Sequence, residues 1–452
     1  MLKRRTKRVA GAMLVVACLA GSFVRVAADF NAGVDAYNKG DYGTAFAEFK
    51  VAAEQGLAQA QYNLAVMYDE GTGVEQNFPV AAQLYRLAAD QGYGPAQYNL
   101  AVLYESGSGV EQDDSQAATL YRKAADQGDV DAQIVLAGMY EGGRGVSQDA
   151  GQAAQLYQRA AEQGHVVAQY NLALMFYQGQ GVARDLGQAA KWFRMAGEQG
   201  DADAQASLAE LLEQGRGVSQ DSAQAAQWYQ RAGEQGHLVA QAKLGYLYSQ
   251  GKGVPQDKAR AADWYRRAAE QGFADAQANL AMMYSRGDGV PQDYAQAVVW
   301  YRRAAEKGLA AAQYNLGVLY TQGQGVPSND SEAATWYRLA AEQGHARAQS
   351  NLGSLYAHGR GVPQGDIDAV AWYRRAAEQG EPMAQYNLGV MYADGRGVPQ
   401  DLPRAYMWFD LAAGQGNDTA NEGMEITGGQ LSVEQIAEAQ ARAREWRGQH
   451  PQ

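Results

Sequence analysis

The stretch LAQAQYNLAVMYDEGTGVEQNFPVAAQLYRLAADQG, from Leu57 to Gly92, decides the fold because the rest of the chain repeats it. The next stretch, YGPAQYNLAVLYESGSGVEQDDSQAATLYRKAADQG from Tyr93 to Gly128, has the same length of 36 residues and the same residue at many positions. This frame continues without an insertion to Gly416, which gives ten repeats. Self-similarity at a fixed period of this length is typical of a solenoid of stacked helical pairs.

Each repeat reads as two helices, when its residues are numbered as positions 1 to 36 from Leu57. Position 4 is always Ala, position 8 is always Leu, and position 12 is Tyr in eight repeats, a helical spacing that predicts helix A over positions 2–14. Glycines at positions 15 and 17 and Val at position 18 then form a turn. Asp at position 21 in seven repeats predicts the N-cap of helix B, and Gly at position 36 predicts its end.

The Gly-x-Gly turn is not a phosphate-binding loop. In EGTGVEQN, Glu70 to Asn77, the third glycine of a dinucleotide fingerprint is replaced by Gln76, and no Lys-Ser/Thr pair follows. A helix precedes the turn, whereas the fingerprint follows a strand. The residue between the two glycines differs from repeat to repeat, which predicts a tip that faces solvent; examples are Thr72, Ser108, Arg144, Gln180 and Asp288.

The motifs AQYNLAVMY, GTGVEQN and AAQLYRLAADQG resemble those of the Sel-one-like repeat (SLR) family, which is related to the tetratricopeptide repeats. The resemblance covers residues 57–416 in ten copies. It implies an all-α fold, a right-handed α/α superhelical solenoid with helix A on its concave side. It also implies a scaffold or adaptor, in bacteria often at the cell envelope.

The two ends of the array differ from the repeats, as expected of caps. Residues 29–56 resemble a shortened, tetratricopeptide-like helix pair without the Gly-x-Gly turn. Residues 417–452 read as a polar linker followed by a capping helix, from about Val433 to Trp446. Ser432 and Gln435 fit a capping box at the start of that helix.

The first 28 residues are predicted to be a signal peptide. A basic start is followed by an apolar run from Val9 to Val24, and Val26 and Ala28 provide small residues before a cleavage site. The chain is therefore expected to be periplasmic or secreted. An alternative stays open, because VVAC, ending at Cys18, resembles a lipoprotein box. Cys18 is the only cysteine, so a chain cleaved after Ala28 would contain no disulfide.

Composition and motifs argue against nucleic acid, cofactors and catalysis. The signal segment holds six of the 38 basic residues and no acidic one, which leaves 32 basic against 50 acidic residues, a net charge near −18. That charge repels phosphate backbones. The five histidines show no metal-binding spacing and are expected to be solvated, and no nucleophile motif occurs. We therefore predict no catalytic residue, no cofactor and no metal site.

The remaining candidate is an apolar and aromatic stripe on helix A, at positions 6 and 10, bordered by Asn at position 7. Such a stripe suits an extended peptide or a helix of a partner protein. The alternative is that the position 6 tyrosines pack against the next repeat. The candidate partner-binding residues are Tyr62, Asn63, Val66, Tyr98, Asn99, Val102, Tyr170, Asn171 and Leu174.

The sequence thus predicts an exported, non-enzymatic scaffold that binds protein partners through the concave side of the solenoid. Two alternatives remain open at this point. One is a protein that binds envelope polysaccharide or peptidoglycan, since surface aromatic rings also stack on sugars. The other is a secreted factor that acts on a host cell.

Overall fold

A computed structural model describes residues 23–450, with side chains from Phe30 onward, and this part of the chain contains helices and no strand. Residues 1–22 of the predicted signal peptide, which include Cys18, lie outside the described residues. The 24 helices of the described part are α1 Phe23–Asn38, α2 Tyr42–Glu54, α3 Ala58–Glu70, α4 Phe78–Asp90, α5 Gly94–Ser106, α6 Asp114–Asp126, α7 Val130–Gly142, α8 Ala150–Glu162, α9 Val166–Gln178, α10 Leu186–Glu198, α11 Ala202–Gln214, α12 Ser222–Glu234, α13 Leu238–Gln250, α14 Lys258–Glu270, α15 Ala274–Arg286, α16 Tyr294–Glu306, α17 Ala310–Gln322, α18 Asp330–Glu342, α19 Ala346–His358, α20 Asp366–Glu378, α21 Pro382–Asp394, α22 Leu402–Ala413, α23 Asp418–Gly428 and α24 Val433–Gln449.

The predicted helical pair is confirmed in every repeat. Each helix A covers positions 2–14, and each helix B covers positions 22–34 except α22, which ends one residue earlier. In most repeats the side chain of the residue at position 21 accepts a backbone N–H at the start of helix B, as Asp113 does from Ser115 and Gln116, whereas Gly365 in the ninth repeat has no side chain to do so. This contact satisfies donors that the first turn of a helix leaves free. The chain is therefore an all-α solenoid of helical pairs.

Small and large residues alternate in the core of each repeat. Ala96 at position 4 and Leu100 at position 8 are buried in α5, and Ala117, Ala118 and Tyr121 are buried in α6. The alanines let helices approach closely, and the leucine and tyrosine side chains fill the space between them. For example, α5 packs against α6 of its own repeat and α4 of the preceding one. The stacking thus buries apolar surface that a single pair leaves in water.

The chain divides into two compact units. The first, called the N-terminal unit here, ends at Asp221, and the second, called the C-terminal unit, begins at Ser222. The first five repeats lie in the N-terminal unit, apart from helix B of the fifth repeat, and the other repeats lie in the C-terminal unit.

The turn between helix A and helix B requires both of its glycines. Gly143 at position 15 ends α7 in the left-handed conformation, with φ of 63°. Gly145 at position 17 has φ of 65°, and a Cβ atom there would lie 2.0 Å from the carbonyl oxygen of Asp114 at the start of α6. The turn therefore lies against the first residues of the preceding helix B, where only glycine fits.

The residue between these glycines faces solvent at least in part in every repeat, and in several repeats it also pairs with the preceding repeat. Arg360 at this position forms a two-pronged ion pair with Asp330 at position 22 of the preceding repeat, with N–O distances of 2.9 and 3.0 Å. Arg396 pairs in the same way with Asp366. In another repeat the signs are reversed, because Asp288 lies 2.5 Å from Lys258. In these three repeats the residue at the tip therefore pairs with an opposite charge 30 residues earlier.

The C-terminal end contains one helix more than expected. The stretch interpreted as a polar linker contains α23, Asp418–Gly428, which packs against α22 as helix A of a further repeat would. The predicted capping box of α24 is confirmed, since the Ser432 and Gln435 side chains each accept the other residue's backbone N–H. Ala439 and Ala443 of α24 are buried, and Trp446 contacts Trp408 of α22. In the described part of the chain no helix is both long and apolar enough to cross a membrane.

Candidate functional site

The side chains of helix A fall into three groups by exposure. Positions 4, 5, 8, 9 and 11 are buried in nearly every repeat, positions 3 and 14 are mostly exposed, and positions 6, 7 and 10 lie between these extremes. Positions 3, 6, 7, 10, 13 and 14 together are called the helix A face below. This face contains all the residues that the sequence predicted to bind a partner.

Two of the position 6 tyrosines, Tyr98 and Tyr170, pack on one side and remain accessible on the other. The Tyr98 ring lies 5.5 Å from the ring of Tyr121 at position 29 of the same repeat, and Tyr170 lies 5.8 Å from Phe193 in the same relation. Both tyrosines are half-buried. Their rings are therefore held in place by their own repeat, while part of each ring faces solvent.

Three of the predicted contact residues serve the interior. Tyr62 is only 6% exposed, and its ring lies 5.3 Å from Tyr93 of the next repeat, so here the packing alternative applies. Asn63 is 7% exposed. The Asn99 side chain donates to the hydroxyl oxygens of Tyr85 at 3.1 Å and Tyr62 at 3.5 Å. Asn63 is therefore buried and the Asn99 amide is engaged by tyrosines of the preceding repeat, which leaves little of either for a partner.

The other predicted contact residues are half-buried on the helix A face: Val66, Tyr98, Val102, Tyr170, Asn171 and Leu174. An exposed apolar residue at position 3, Val167, extends this surface beside Tyr170 in α9. Sequence reasoning missed the division between interior and accessible tyrosines. The aromatic residue at position 29 was a usable signal for the packing of position 6, since it faces that position in each of these repeats.

Carboxylates surround the accessible tyrosines of the N-terminal unit. The pKa of Tyr98 is raised to about 12, by burial first and then by the negative charges of Asp131, Asp129 and Glu105. The pKa of Tyr170 is likewise raised, by burial first and then by Asp203 and Asp201.

Tyr314, which is at position 6 of the eighth repeat in the C-terminal unit, has a different environment. Burial raises the pKa of Tyr314; the positive charge of Arg347 at position 3 of the next repeat opposes that shift, and the negative charge of Glu381 adds to it in a smaller amount. The Tyr314 ring also stacks on His345 at position 1 of that repeat, with 4.7 Å between ring centres. Tyr98 and Tyr170 thus have only carboxylates as their charged neighbours, whereas Tyr314 has charges of both signs near it.

A ladder of glutamines joins consecutive repeats, and sequence reasoning did not assign it. Gln97 at position 5 is 3% exposed, and its side-chain nitrogen donates to the carbonyl oxygen of Ala89 in the preceding repeat at 3.2 Å. Its oxygen accepts from Gln127 at position 35 of the same repeat at 2.8 Å. A buried amide with both groups bonded fixes how the two repeats meet. The invariance of Gln at position 5 was the signal.

Two of the three histidines at position 1 are structural, which corrects for these two the expectation that they are merely solvated; His165 makes no such capping bond. His237 and His345 each accept a backbone N–H through Nδ1 at the start of a helix A, from Ala240 at 3.1 Å and from Ala348 at 3.2 Å. Between residues 23 and 450, no group of three His, Cys, Asp or Glu residues is placed to hold a metal ion.

The comparison with family models decides the identity of the array. The Sel1 repeat model matches ten consecutive segments that together run from residue 58 to residue 417, each 36 residues long. The chain belongs to the Sel1 repeat family. Sel1 repeat solenoids are generally protein-interaction scaffolds and are typically not catalytic. A comparison with curated proteins found no match.

Two solved structures of Sel1-like repeat proteins are similar to this chain over most of their own length. One is a protective antigen of uropathogenic Escherichia coli strains with an SLR fold; it is 33% identical, covers 90% of this chain and 95% of its own, and gives a TM-score of 0.64. The other is a Sel1 repeat protein from Oxalobacter formigenes, also 33% identical, which covers 70% of this chain and 94% of its own with a TM-score of 0.55. Both similarities support the Sel1 repeat solenoid.

Proposed function

We propose that this Sel1 repeat protein is a non-enzymatic adaptor that binds protein partners through the helix A face of its N-terminal unit. The proposal rests on the packing and the exposure of the Tyr98 and Tyr170 rings. Each ring is fixed by an aromatic neighbour, at 5.5 and 5.8 Å, and each remains half-exposed. Aromatic side chains are common anchors at protein interfaces because they bury a large area.

The packing of these rings favours binding on entropic grounds. A side chain that is already ordered loses little conformational freedom when a partner covers it, so more of the contact energy contributes to affinity. Val102, Leu174 and the exposed Val167 add apolar surface beside the rings. Scattered apolar side chains are ordinary on protein surfaces, whereas a row of them along one face marks an interaction site.

Affinity capture from an envelope extract of the source organism tests the proposal. The variant Tyr98→Ser with Tyr170→Ser should lose its partners. The matched control is Tyr386→Ser, because Tyr386 packs on Phe409 at 5.6 Å in the C-terminal unit and its loss costs similar packing. Circular dichroism verifies that the helices stay intact. Equal recovery of partners by the double variant, the control and the unchanged protein would reject the helix A face.

We also propose that the protein is exported to the periplasm or secreted. The support is the basic and apolar character of residues 1–24 and the small residues Val26 and Ala28. Mass spectrometry of the protein from its own cells should give a mature chain that begins at Asp29. A lipid-modified chain that begins at Cys18 would establish the lipoprotein alternative, and an unprocessed chain would contradict export.

A further inference from the structure

The five helices A of the N-terminal unit, α3, α5, α7, α9 and α11, contain acidic residues and no Lys or Arg. Their eight acidic residues are Asp69, Glu70, Glu105, Asp131, Glu141, Asp203, Glu210 and Glu213. In the C-terminal unit, α13, α15, α17, α19 and α21 contain only Asp275 and Asp394, against Lys243, Arg286 and Arg347. The two units therefore present helix A faces of different charge.

Internal contacts reduce this charge but leave it negative. Arg144 from the turn of the third repeat lies 2.8 Å from Glu105. Asp69 is 6% exposed and accepts from the Tyr85 hydroxyl at 3.3 Å, so it belongs to the interior. Asp203 is exposed and Asp131 is half-buried on the helix A face. These two carboxylates act on the tyrosines described above, Asp131 on Tyr98 and Asp203 on Tyr170.

We infer that the helix A face of the N-terminal unit binds a cationic, amphipathic polypeptide segment, in which Lys or Arg side chains alternate with apolar ones. The inference rests on the proposed function and specifies the partner's chemistry. The face is apolar and negatively charged, so a segment that is apolar and cationic complements it. Val102, Val167 and Leu174 suit the apolar side chains of the segment, and the half-exposed rings of Tyr98 and Tyr170 suit its cations.

A tyrosine ring beside carboxylates attracts a cation in two ways. The negative face of the ring attracts a guanidinium or ammonium group directly, and the neighbouring carboxylates add their own charge. An acidic or neutral segment gains neither contribution. The partial burial of Tyr98 and Tyr170 also lowers the local dielectric constant, which strengthens both attractions compared with a fully solvated pair.

Binding of a synthetic peptide to the full chain, followed by fluorescence anisotropy, tests the inference. The probe is a labelled helical peptide of Leu, Lys and Ala with lysines on one face and leucines on the other. Two companion peptides have Glu in place of Lys, or Ser in place of Leu. We expect the Lys peptide to bind at least roughly tenfold more tightly than either companion, and to weaken as salt rises from about 0.05 M to about 0.5 M.

Variants at position 3 separate a local effect from a diffuse one. Asp203→Asn and Asp131→Asn should each weaken the Lys peptide by roughly threefold, the size expected for one partly exposed charge contact. Asp275→Asn is the matched control, because this exposed aspartate also lies at position 3, in the first turn of α15. The repeat before it has Ala242 at position 6, whereas the repeats before Asp131 and Asp203 have Tyr98 and Tyr170 there. The control should leave the affinity unchanged.

Three results would overturn the inference. The first is equal affinity for the Lys and Glu peptides, and the second is an equal effect of Asp275→Asn. The third is self-association that Asp203→Asn abolishes in sedimentation experiments, because a second copy would then occupy the face. If Tyr98→Ser with Tyr170→Ser still abolishes partner capture, the proposed function stands and only the cationic chemistry fails. If capture is unaffected as well, both fail.

Discussion

The side-chain oxygen of Gln277 is buried without a hydrogen-bond partner, because Lys307 stands where its partner glutamine is expected. Gln277 is at position 5 of the seventh repeat, and its nitrogen donates to the carbonyl oxygen of Ala269 at 3.0 Å as in the other repeats. Lys307 at position 35 donates instead to the carbonyl oxygen of Gly272. A lysine ammonium can donate to the Gln277 oxygen, but here it lies elsewhere.

Lys307→Gln should therefore stabilise the protein. A restored bond to the Gln277 oxygen removes the cost of one unsatisfied buried acceptor, about 1 kcal/mol in the free energy of unfolding. Chemical denaturation followed by circular dichroism measures the change. The reverse variant is the matched control: Gln343 donates to Gln313 at 2.8 Å in the next repeat, and Gln343→Lys should cost a similar amount. A shift in the same direction for both variants would contradict this account of the ladder.

Gly145→Ala should destabilise the protein much more than Gly128→Ala. Both glycines have positive φ, 65° and 97°, so alanine at either costs about 1 kcal/mol or slightly more in backbone strain. A Cβ at Gly145 also meets the Asp114 carbonyl oxygen at 2.0 Å, whereas nothing lies within 4 Å at Gly128. The displaced turn should cost about 1–3 kcal/mol more. Denaturation midpoints measure the difference, and equal losses would show that the turn does not lie against the preceding helix.

The Arg360–Asp330 pair should couple the eighth and ninth repeats weakly. Its two prongs have good geometry, but the side chains are 52% and 25% exposed, so solvent screens the attraction. A double-mutant cycle of Arg360→Ala and Asp330→Ala should give a coupling of about 0.5–1 kcal/mol at low salt. The coupling should decrease as salt is added. Independence from salt would assign the effect of these residues to something other than their charges.

Tyrosine ionisation should destabilise the protein in alkaline solution. Burial raises the pKa of Tyr98, Tyr265 and Tyr301 to about 12, above the ordinary value of 10.0. Below pH 10 these hydroxyls are neutral in both folded and unfolded chains and have no effect on stability. As pH rises from 10 to 12, the unfolded chain loses the proton first, so the free energy of unfolding falls.

Denaturation midpoints across this alkaline range test the prediction. Tyr98→Phe provides the control, because it retains the ring and removes one ionisable group. The variant should lose less stability between pH 10 and pH 12 than the unchanged protein does. An identical pH profile for the two proteins would contradict the assignment to Tyr98.

The helices were predictable from sequence because their signals are local. Helix A and helix B of every repeat begin and end where the apolar spacing, the residue at position 21 and the glycines at positions 15 and 36 predict. The α23 segment shows the limit of such signals. Its polar sequence reads as a linker, yet Ala420 and Thr427 are buried where it packs as a further helix A.

The sequence by itself determined the solenoid of helical pairs. Each 36-residue repeat contains the residues that begin and end its two helices, and a helical pair buries its apolar surface only when it stacks on its neighbours. The tertiary structure alone decided which side chains of the helix A face remain accessible to a partner. Tyr62 and Tyr98 occupy the same repeat position, but only Tyr62 is covered, because the next repeat places Tyr93 against it where Tyr98 meets Asp129. Contacts across a repeat boundary join residues about 30 positions apart, and no local pattern specifies which of these pairs meet.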